Sequence, residues 1–174
     1  MRKLLKILAI ALCYFGISCN TNTTNGPSAA AKKNLEAMQG ITNAFDRKDF
    51  SNLGDYIAPD AVDHSDMGDI KGLDSMKVAF TKLVEDMDTL KTETIKELAD
   101  DDYVMSWKHF NGSFKKSGMG YKAGDKMDVK AIEVGKFKDG KMVEHWTMME
   151  PADVMKMMPA SPSAPTSADS TKKK

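Results

Sequence analysis

Residues 127–150 read MDVKAIEVGKFKDGKMVEHWTMME. This stretch predicts two β-strands, residues 127–137 and 142–150, joined by residues 138–141. Alternate residues of a strand point to the same face of a sheet. On the first strand one such face carries Met127, Val129, Ala131, Glu133, Gly135 and Phe137. Glu133 is therefore a single carboxylate in an otherwise apolar row.

The position of Glu133 has two interpretations. Burial among apolar groups disfavours the charged form of a carboxylate, and a carboxyl group tuned in this way serves as a general acid or base. The alternative is a strand at the edge of a sheet, where Glu133 is in contact with water. The alternation of residues fits both.

The first 18 residues have the pattern of a secretory signal peptide: a basic start, an apolar run at 7–17, and small residues before Cys19. A bilayer span takes about 20 apolar residues, and this run is shorter. The position of Cys19 resembles the lipobox of bacterial lipoproteins, in which that cysteine is lipidated and becomes the mature N-terminus. The alternative is an ordinary cleaved signal that releases a soluble protein with a free Cys19. The other cysteine, Cys13, would leave with the signal.

The mature chain divides by composition into three parts. Residues 19–29 predict a flexible tether and residues 159–174 a disordered tail, because both are poor in large apolar side chains. Residues 30–158 have the size of one domain. We therefore expect a lipid-anchored protein of the bacterial cell envelope, and Asn20 after the cysteine permits sorting to the outer membrane.

The charge pattern argues against a nucleic-acid partner. The chain has 25 basic and 25 acidic residues, and loss of the signal removes three of the basic ones, Arg2, Lys3 and Lys6. No basic stripe is interleaved with aromatic residues, so the electrostatic footprint of phosphate-backbone binding is missing. The histidines, His64, His109 and His145, do not have the spacing of a metal-ligand set, and we expect no metal.

Helices come first in the domain. Apolar residues every three or four positions predict an amphipathic helix over about residues 30–47. Residues 49–58 predict a short second helix ended by Pro59. A third helix begins at Asp74 or Ser75 as its N-cap. Its apolar face carries Met76, Phe80, Leu83 and Met87.

Strands follow at residues 89–98 and 103–113, ahead of the two strands at 127–150. One face of the strand at 103–113 carries Tyr103, Met105, Trp107 and His109. Helices placed before a run of antiparallel strands predict an α+β fold with one curved sheet.

Three motifs in this order resemble the SnoaL-like polyketide cyclase family, which belongs to the nuclear transport factor 2-like superfamily. They are the segment APDAVDH at 58–64, Gly72 leading a helix, and DGKMVEHW at 139–146. The resemblance covers residues 30–158. It implies a cone-shaped, curved antiparallel sheet closed by three N-terminal helices around an apolar pocket, commonly as a homodimer. Characterised cyclases of the family close a ring by an intramolecular aldol reaction without a metal or organic cofactor.

The resemblance also suggests site residues. Asp63 and His64 match the family's Asp-His pair at the pocket wall, where they would orient a substrate. In the Glu-His-Trp motif at 144–146 the following position, where an aspartate is expected, is Thr147. Glu133 is then the best proton-transfer candidate of the hairpin, and general acid-base catalysis in a dry cavity needs such a group. The alternative for His64 is a packing residue paired with a carboxylate.

Two functions remain open. The first is a lipid-anchored module that binds a small apolar molecule, and the second is a cyclase- or isomerase-type enzyme that uses Glu133, His64 and Asp63. In both, aromatic and methionine side chains form the apolar wall, and methionine adapts to varied apolar ligands. The expected wall residues are Trp107, Trp146, Tyr103 and Met105. A membrane-tethered polyketide cyclase is awkward, because polyketide substrates are normally cytoplasmic, and the binding module is therefore favoured.

Overall fold

The computed structural model describes residues 26–65, 68–117 and 120–157. The predicted signal peptide, Cys19 and the tail at 159–174 lie outside the described residues, as does most of the tether. Among the described residues no helix is long and apolar enough to cross a membrane.

Six strands form one curved mixed sheet, and three α-helices accompany it. The elements in chain order are α1 (Ala29–Arg47), a 3-10 turn (Leu53–Asp55), β1 (Ile57–His64), β2 (Ile70–Lys71), α2 (Leu73–Glu85), β3 (Met87–Ala99), β4 (Tyr103–Phe114), β5 (Lys126–Lys138), β6 (Lys141–Met149) and α3 (Pro151–Met157). The strand order is β2-β1-β6-β5-β4-β3. The predicted α+β class is confirmed.

The sheet is not the purely antiparallel one that the sequence predicts. Strand β1 runs parallel to β6, while the other neighbouring pairs are antiparallel. The parallel pair is possible because a long stretch of chain separates the two strands, and such a pair cannot be joined by a tight hairpin. This pairing brings the residues of β1 next to the Glu-His-Trp motif of β6.

Helix α1 is confirmed close to its predicted bounds. The Ser28 side chain caps its start by accepting a hydrogen bond from the Ala31 N–H at 2.9 Å. Lys48 ends it in the left-handed conformation, with φ 53°. Its buried face includes Met38 and Ile41, which pack in the main core. The helix is therefore fixed against the sheet.

The predicted second helix at 49–58 is wrong. Only the 3-10 turn at 53–55 is helical, and β1 already begins at Ile57. Pro59 lies inside the strand, where the register with β6 shifts between Ile57 and Val62. Proline is tolerated at such an irregularity because no ladder hydrogen bond from its nitrogen is required. The third predicted helix is confirmed as α2, although Gly72 with φ 84° takes the N-cap position instead of Asp74 or Ser75.

The hairpin at 127–150 is confirmed as β5 and β6. Lys138 pairs with Lys141, and the two residues between them, Asp139 and Gly140, have φ of 55° and 77°. Two positive φ angles in a two-residue loop match the twist of the flanking strands, which makes the turn a tight one. One residue further along, the register shifts between Lys136 and Phe137, which marks a β-bulge.

Candidate active site and ligand cavity

A cavity of about 240 Å³ lies between the helices and the inner face of the sheet. Its surface is almost wholly apolar. Much of its wall is formed by aromatic, methionine and aliphatic side chains from α1, α2 and the strands β3 to β5. They include Phe45, Phe80, Met87, Leu90, Phe110 and Met127. Concave, apolar sites of this kind are the usual places for small ligands in proteins.

A row of polar side chains crosses the cavity wall on four neighbouring strands. We call it the polar row; it consists of Asp63, His145, Thr147, Glu133 and Lys108. Strand register places Asp63 beside His145 and Glu133 opposite Thr147, while Lys108 pairs with Ala131 two positions from Glu133. Residues opposite each other in neighbouring strands share a face, so the row follows from the register itself.

Glu133 lines the cavity but is not isolated. Lys108 Nζ lies 2.6 Å from Glu133 Oε2, and the lysine side chain is only 2 % exposed. The same ammonium donates to Thr42 Oγ1 at 2.6 Å, and the Thr42 hydroxyl donates to the Met38 carbonyl at 3.0 Å. Burial of a charge is tolerated when it is paired and hydrogen-bonded. Glu133, the single carboxylate on the inward face of its strand, therefore has a buried counter-ion.

Asp63 lines the cavity as a partner of His145. Its Oδ1 lies 2.7 Å from His145 Nδ1, and both side chains are about one-seventh exposed, at 13 % and 14 %. A carboxylate accepts at Nδ1, so that nitrogen carries the hydrogen and Nε2 is the unprotonated nitrogen of the neutral ring. Within the described residues, Nε2 has no hydrogen-bond partner. A histidine oriented in this way can act as a general base.

His64 lies on the opposite face of the sheet. Its ring stacks on Trp146 with centroids 4.9 Å apart, and its nitrogens lie 3.0 Å from Asp69 and 3.4 Å from Glu144. Glu144 also binds Lys136 at 2.6 Å. The hydrogen bond with Asp69 is the main cause that raises the pKa of His64, and Lys136 lowers the pKa of Glu144. Of the predicted trio, Glu133 and Asp63 thus share the cavity and His64 does not.

The predicted apolar wall is also on the other face. Trp107 is 46 % exposed, and Tyr103, Met105 and Trp146 are likewise absent from the cavity lining of the described residues. On β4 the buried residues are Val104, Ser106, Lys108 and Phe114 instead. The prediction for Tyr103, Met105, Trp107 and Trp146 is wrong because side-chain type alone, aromatic or methionine, does not decide which face of a strand is buried. The strand turns its polar residues inward, where Glu97 and Glu133 pair with them.

Sequence reasoning missed Lys108 and His145 as site residues. Lys108 alternates with the aromatic residues of β4, and His145 alternates with Trp146 on β6. Which of the two alternating sets faces the cavity depends on the register with β5. The sequence alone does not show that register. Among the described residues no group of three His, Cys, Asp or Glu side chains is placed to hold a metal ion.

The fold and the cavity together define the class of protein. The fold is α+β, with helices packed on one face of a curved sheet, and the polar row crosses the wall of an apolar cavity. The family model for SnoaL-like polyketide cyclases matches residues 35–158, and the chain belongs to that family, with a fold of the nuclear transport factor 2-like type. A search of curated proteins found no match.

Solved structures support the fold. A protein of Jannaschia sp. CCS1, assigned as a SnoaL-like polyketide cyclase, superposes with a TM-score of 0.66 at 17 % identity, covering 79 % of this chain and 99 % of that one. A SnoaL-like polyketide cyclase of Agrobacterium tumefaciens gives 0.61 at 14 % identity, covering 70 % and 94 %. An LEH-like epoxide hydrolase of M. tuberculosis gives 0.60 at 13 % identity, covering 73 % and 90 %.

Proposed function

We propose that this protein binds a small, mainly apolar molecule in its cavity, as a lipid-anchored component of the bacterial cell envelope. The observation that carries the proposal is the cavity of about 240 Å³ with its almost wholly apolar surface. Removing apolar ligand surface from water contributes roughly 25 cal/mol per Å². The phenylalanine and methionine side chains of the wall offer an adaptable surface for such a molecule.

A thermal-shift screen of apolar metabolites tests this proposal, because a ligand that binds the folded state raises the melting temperature. Val129 lines the cavity on β5, and Val129→Phe would fill part of the space. Val78→Phe makes the same substitution on the exposed side of α2, at a residue that is 71 % exposed. We expect ligands to stabilise the wild type and Val78→Phe but not Val129→Phe. An equal shift in a folded Val129→Phe variant would place the ligand elsewhere.

The anchor is proposed from the sequence around Cys19. Cys19→Ala should abolish incorporation of a labelled fatty acid and remove the protein from the membrane fraction. Cys13→Ala is the matched control, since this residue lies inside the apolar run and should leave both unchanged. Membrane attachment that survives Cys19→Ala would contradict lipidation.

We also propose a homodimer that buries the outer face of the sheet. That face has a cluster of partly exposed apolar side chains, the outer patch: Leu98, Tyr103, Met105, Trp107, Ile132 and Met148. Contiguous apolar surface of this kind commonly marks an interface. Sedimentation should show a dimer that Trp107→Lys dissociates and Val78→Lys, on the exposed side of α2, does not. A monomeric wild type would refute this assembly.

Proton-transfer catalysis of the cyclase or isomerase type is the second candidate. The contact between Asp63 and His145 favours it, because it orients a histidine base in an apolar cavity. Exchange of the α-protons of 2-tetralone for deuterium, followed by NMR, measures such a base directly. We expect a rate above that of buffer, lowered about 100-fold by His145→Gln and unaffected by His109→Gln on the outer face. If the protein does not raise the exchange rate above that of buffer, proton-transfer catalysis is refuted and the proposal of ligand binding stands alone.

A further inference from the structure

Each carboxylate of the described cavity wall has a basic side chain as its partner. The described lining contains four ionisable side chains, and each carboxylate lies against a basic group: Glu133 against Lys108 and Asp63 against His145. Two hydrogens of the Lys108 ammonium are already donated, to Glu133 and to Thr42. Because His145 is neutral in the tautomer that leaves Nε2 unprotonated, the described wall offers a ligand no uncompensated positive charge.

We infer that the cavity selects uncharged molecules over carboxylates, and that Glu133 is a built-in counter-ion which prevents Lys108 from binding a ligand carboxylate. This inference rests on the proposed binding function and names the class of ligand: an apolar body with an uncharged oxygen group. Thr147 can donate a hydrogen bond to a ketone oxygen, and His145 Nε2, which has no partner among the described residues, can accept one from a ligand hydroxyl.

The physical reason is the cost of removing a charge from water. An ionised group that enters an apolar site loses its hydration, and this cost is recovered only by a well-placed counter-ion. Lys108 would be such a counter-ion, but Glu133 already occupies it at 2.6 Å. An uncharged ketone or alcohol loses far less hydration and needs only one hydrogen bond.

The same geometry predicts how the selectivity reverses. Glu133→Gln keeps the size of the side chain and removes its negative charge, which leaves the buried Lys108 ammonium without its counter-ion. A carboxylate on the ligand would then supply the missing charge. The variant should therefore accept the class of molecule that the wild type excludes, since specificity here depends on an opposing charge.

Two probes of equal heavy-atom number separate these cases: 2-acetylnaphthalene, which is uncharged, and 2-naphthoate. Isothermal titration at pH 7 should show that the wild type binds the ketone at least about tenfold more tightly, a difference of about 1.4 kcal/mol. Glu133→Gln should reverse the preference by a similar factor. Asp128→Asn is the matched control, because this residue is on the same strand but its side chain is 76 % exposed on the outer face. It should retain the wild-type preference.

The outcomes distinguish this inference from the proposed function. A wild type that binds naphthoate as tightly as the ketone overturns the inference, even if Glu133→Gln does not fold. A folded Glu133→Gln variant that still rejects naphthoate also overturns it, while ketone binding by the wild type keeps the proposed function. If the wild type binds neither probe and the variant binds naphthoate, the counter-ion role is supported and the proposed binding of apolar molecules fails.

Discussion

Two histidine-carboxylate groups lie on opposite faces of the same two strands. Asp63 and His145 meet on the cavity face, and their neighbours in the chain, His64 and Glu144, meet on the outer face. The inner pair is largely buried, whereas the outer group is partly exposed and includes Asp69 and Lys136. Similar side chains therefore have different surroundings: the inner pair faces an apolar cavity, and the outer group links β1, β6 and β5 in contact with water.

The largest expected difference between the faces concerns their lysines. Lys108→Met leaves Glu133 without a counter-ion next to the cavity, and we expect it to lower the free energy of unfolding by about 3 kcal/mol. Lys136→Met breaks the contact with Glu144 on the outer face, where solvent replaces the lost partner, and should cost less than about 1 kcal/mol. Urea unfolding at pH 7 measures both. If both variants lost the same free energy of unfolding, the two lysines would be screened by solvent to the same extent.

The alternation on each strand was predictable from the sequence, but its direction across the sheet was not. The row from Met127 to Phe137 does face inward, as its apolar residues indicate. A hairpin with the Lys138–Lys141 pair and no irregularity would place Glu133 opposite Trp146. The bulge between Lys136 and Phe137 shifts the register by one residue, so that Glu133 instead faces Thr147. A shift of one residue exchanges the two faces of the partner strand.

That single bulge therefore places His145, and not the predicted wall residue Trp146, on the cavity face. The burial of Lys108 on β4 could not be predicted for a related reason. Lysine is rarely buried without a partner, and that partner, Glu133, lies on another strand. Local patterns determined α1, α2 and the hairpin, because these depend on neighbours in the chain. The mixed sheet, the polar row and the outer patch depend on long-range pairing, which one sequence does not reveal.

Two threonines of the cavity wall differ in whether their buried hydroxyl has a hydrogen-bond partner among the described residues. They test how much that partner contributes to the free energy of unfolding. Thr42 bonds both Lys108 and a carbonyl, so Thr42→Val should lower the free energy of unfolding by about 1–2 kcal/mol. The hydroxyl of Thr92 is buried without a partner in the described structure, so Thr92→Val should raise it by up to about 1 kcal/mol. Thermal unfolding compares the two variants directly. Destabilisation by Thr92→Val would mean that its hydroxyl has a partner.

The smallest expected effect is the pH response of the outer group. The pKa of His64 is raised above its ordinary value of 6.5, first by the hydrogen bond with Asp69. A histidine whose pKa is raised on folding binds its proton more tightly in the folded state. Its contribution to stability is therefore fully present below pH 6.5 and is lost as the pH rises through the folded-state pKa. The stability difference between the wild type and His64→Gln should shrink between pH 5.5 and pH 8.

NMR titration of the ring measures this shift directly, and Asp69→Asn should bring the pKa of His64 back towards its ordinary value because it removes the largest cause. Asp63→Asn is the matched change on the inner face: it removes the partner of His145 and leaves both contacts of His64 in place. It should leave the titration of His64 nearly unchanged. If Asp63→Asn shifted His64 as strongly as Asp69→Asn does, the two histidine groups would be electrostatically coupled through the sheet. The separation of an inner, cavity-facing group from an outer, partly exposed one would then fail.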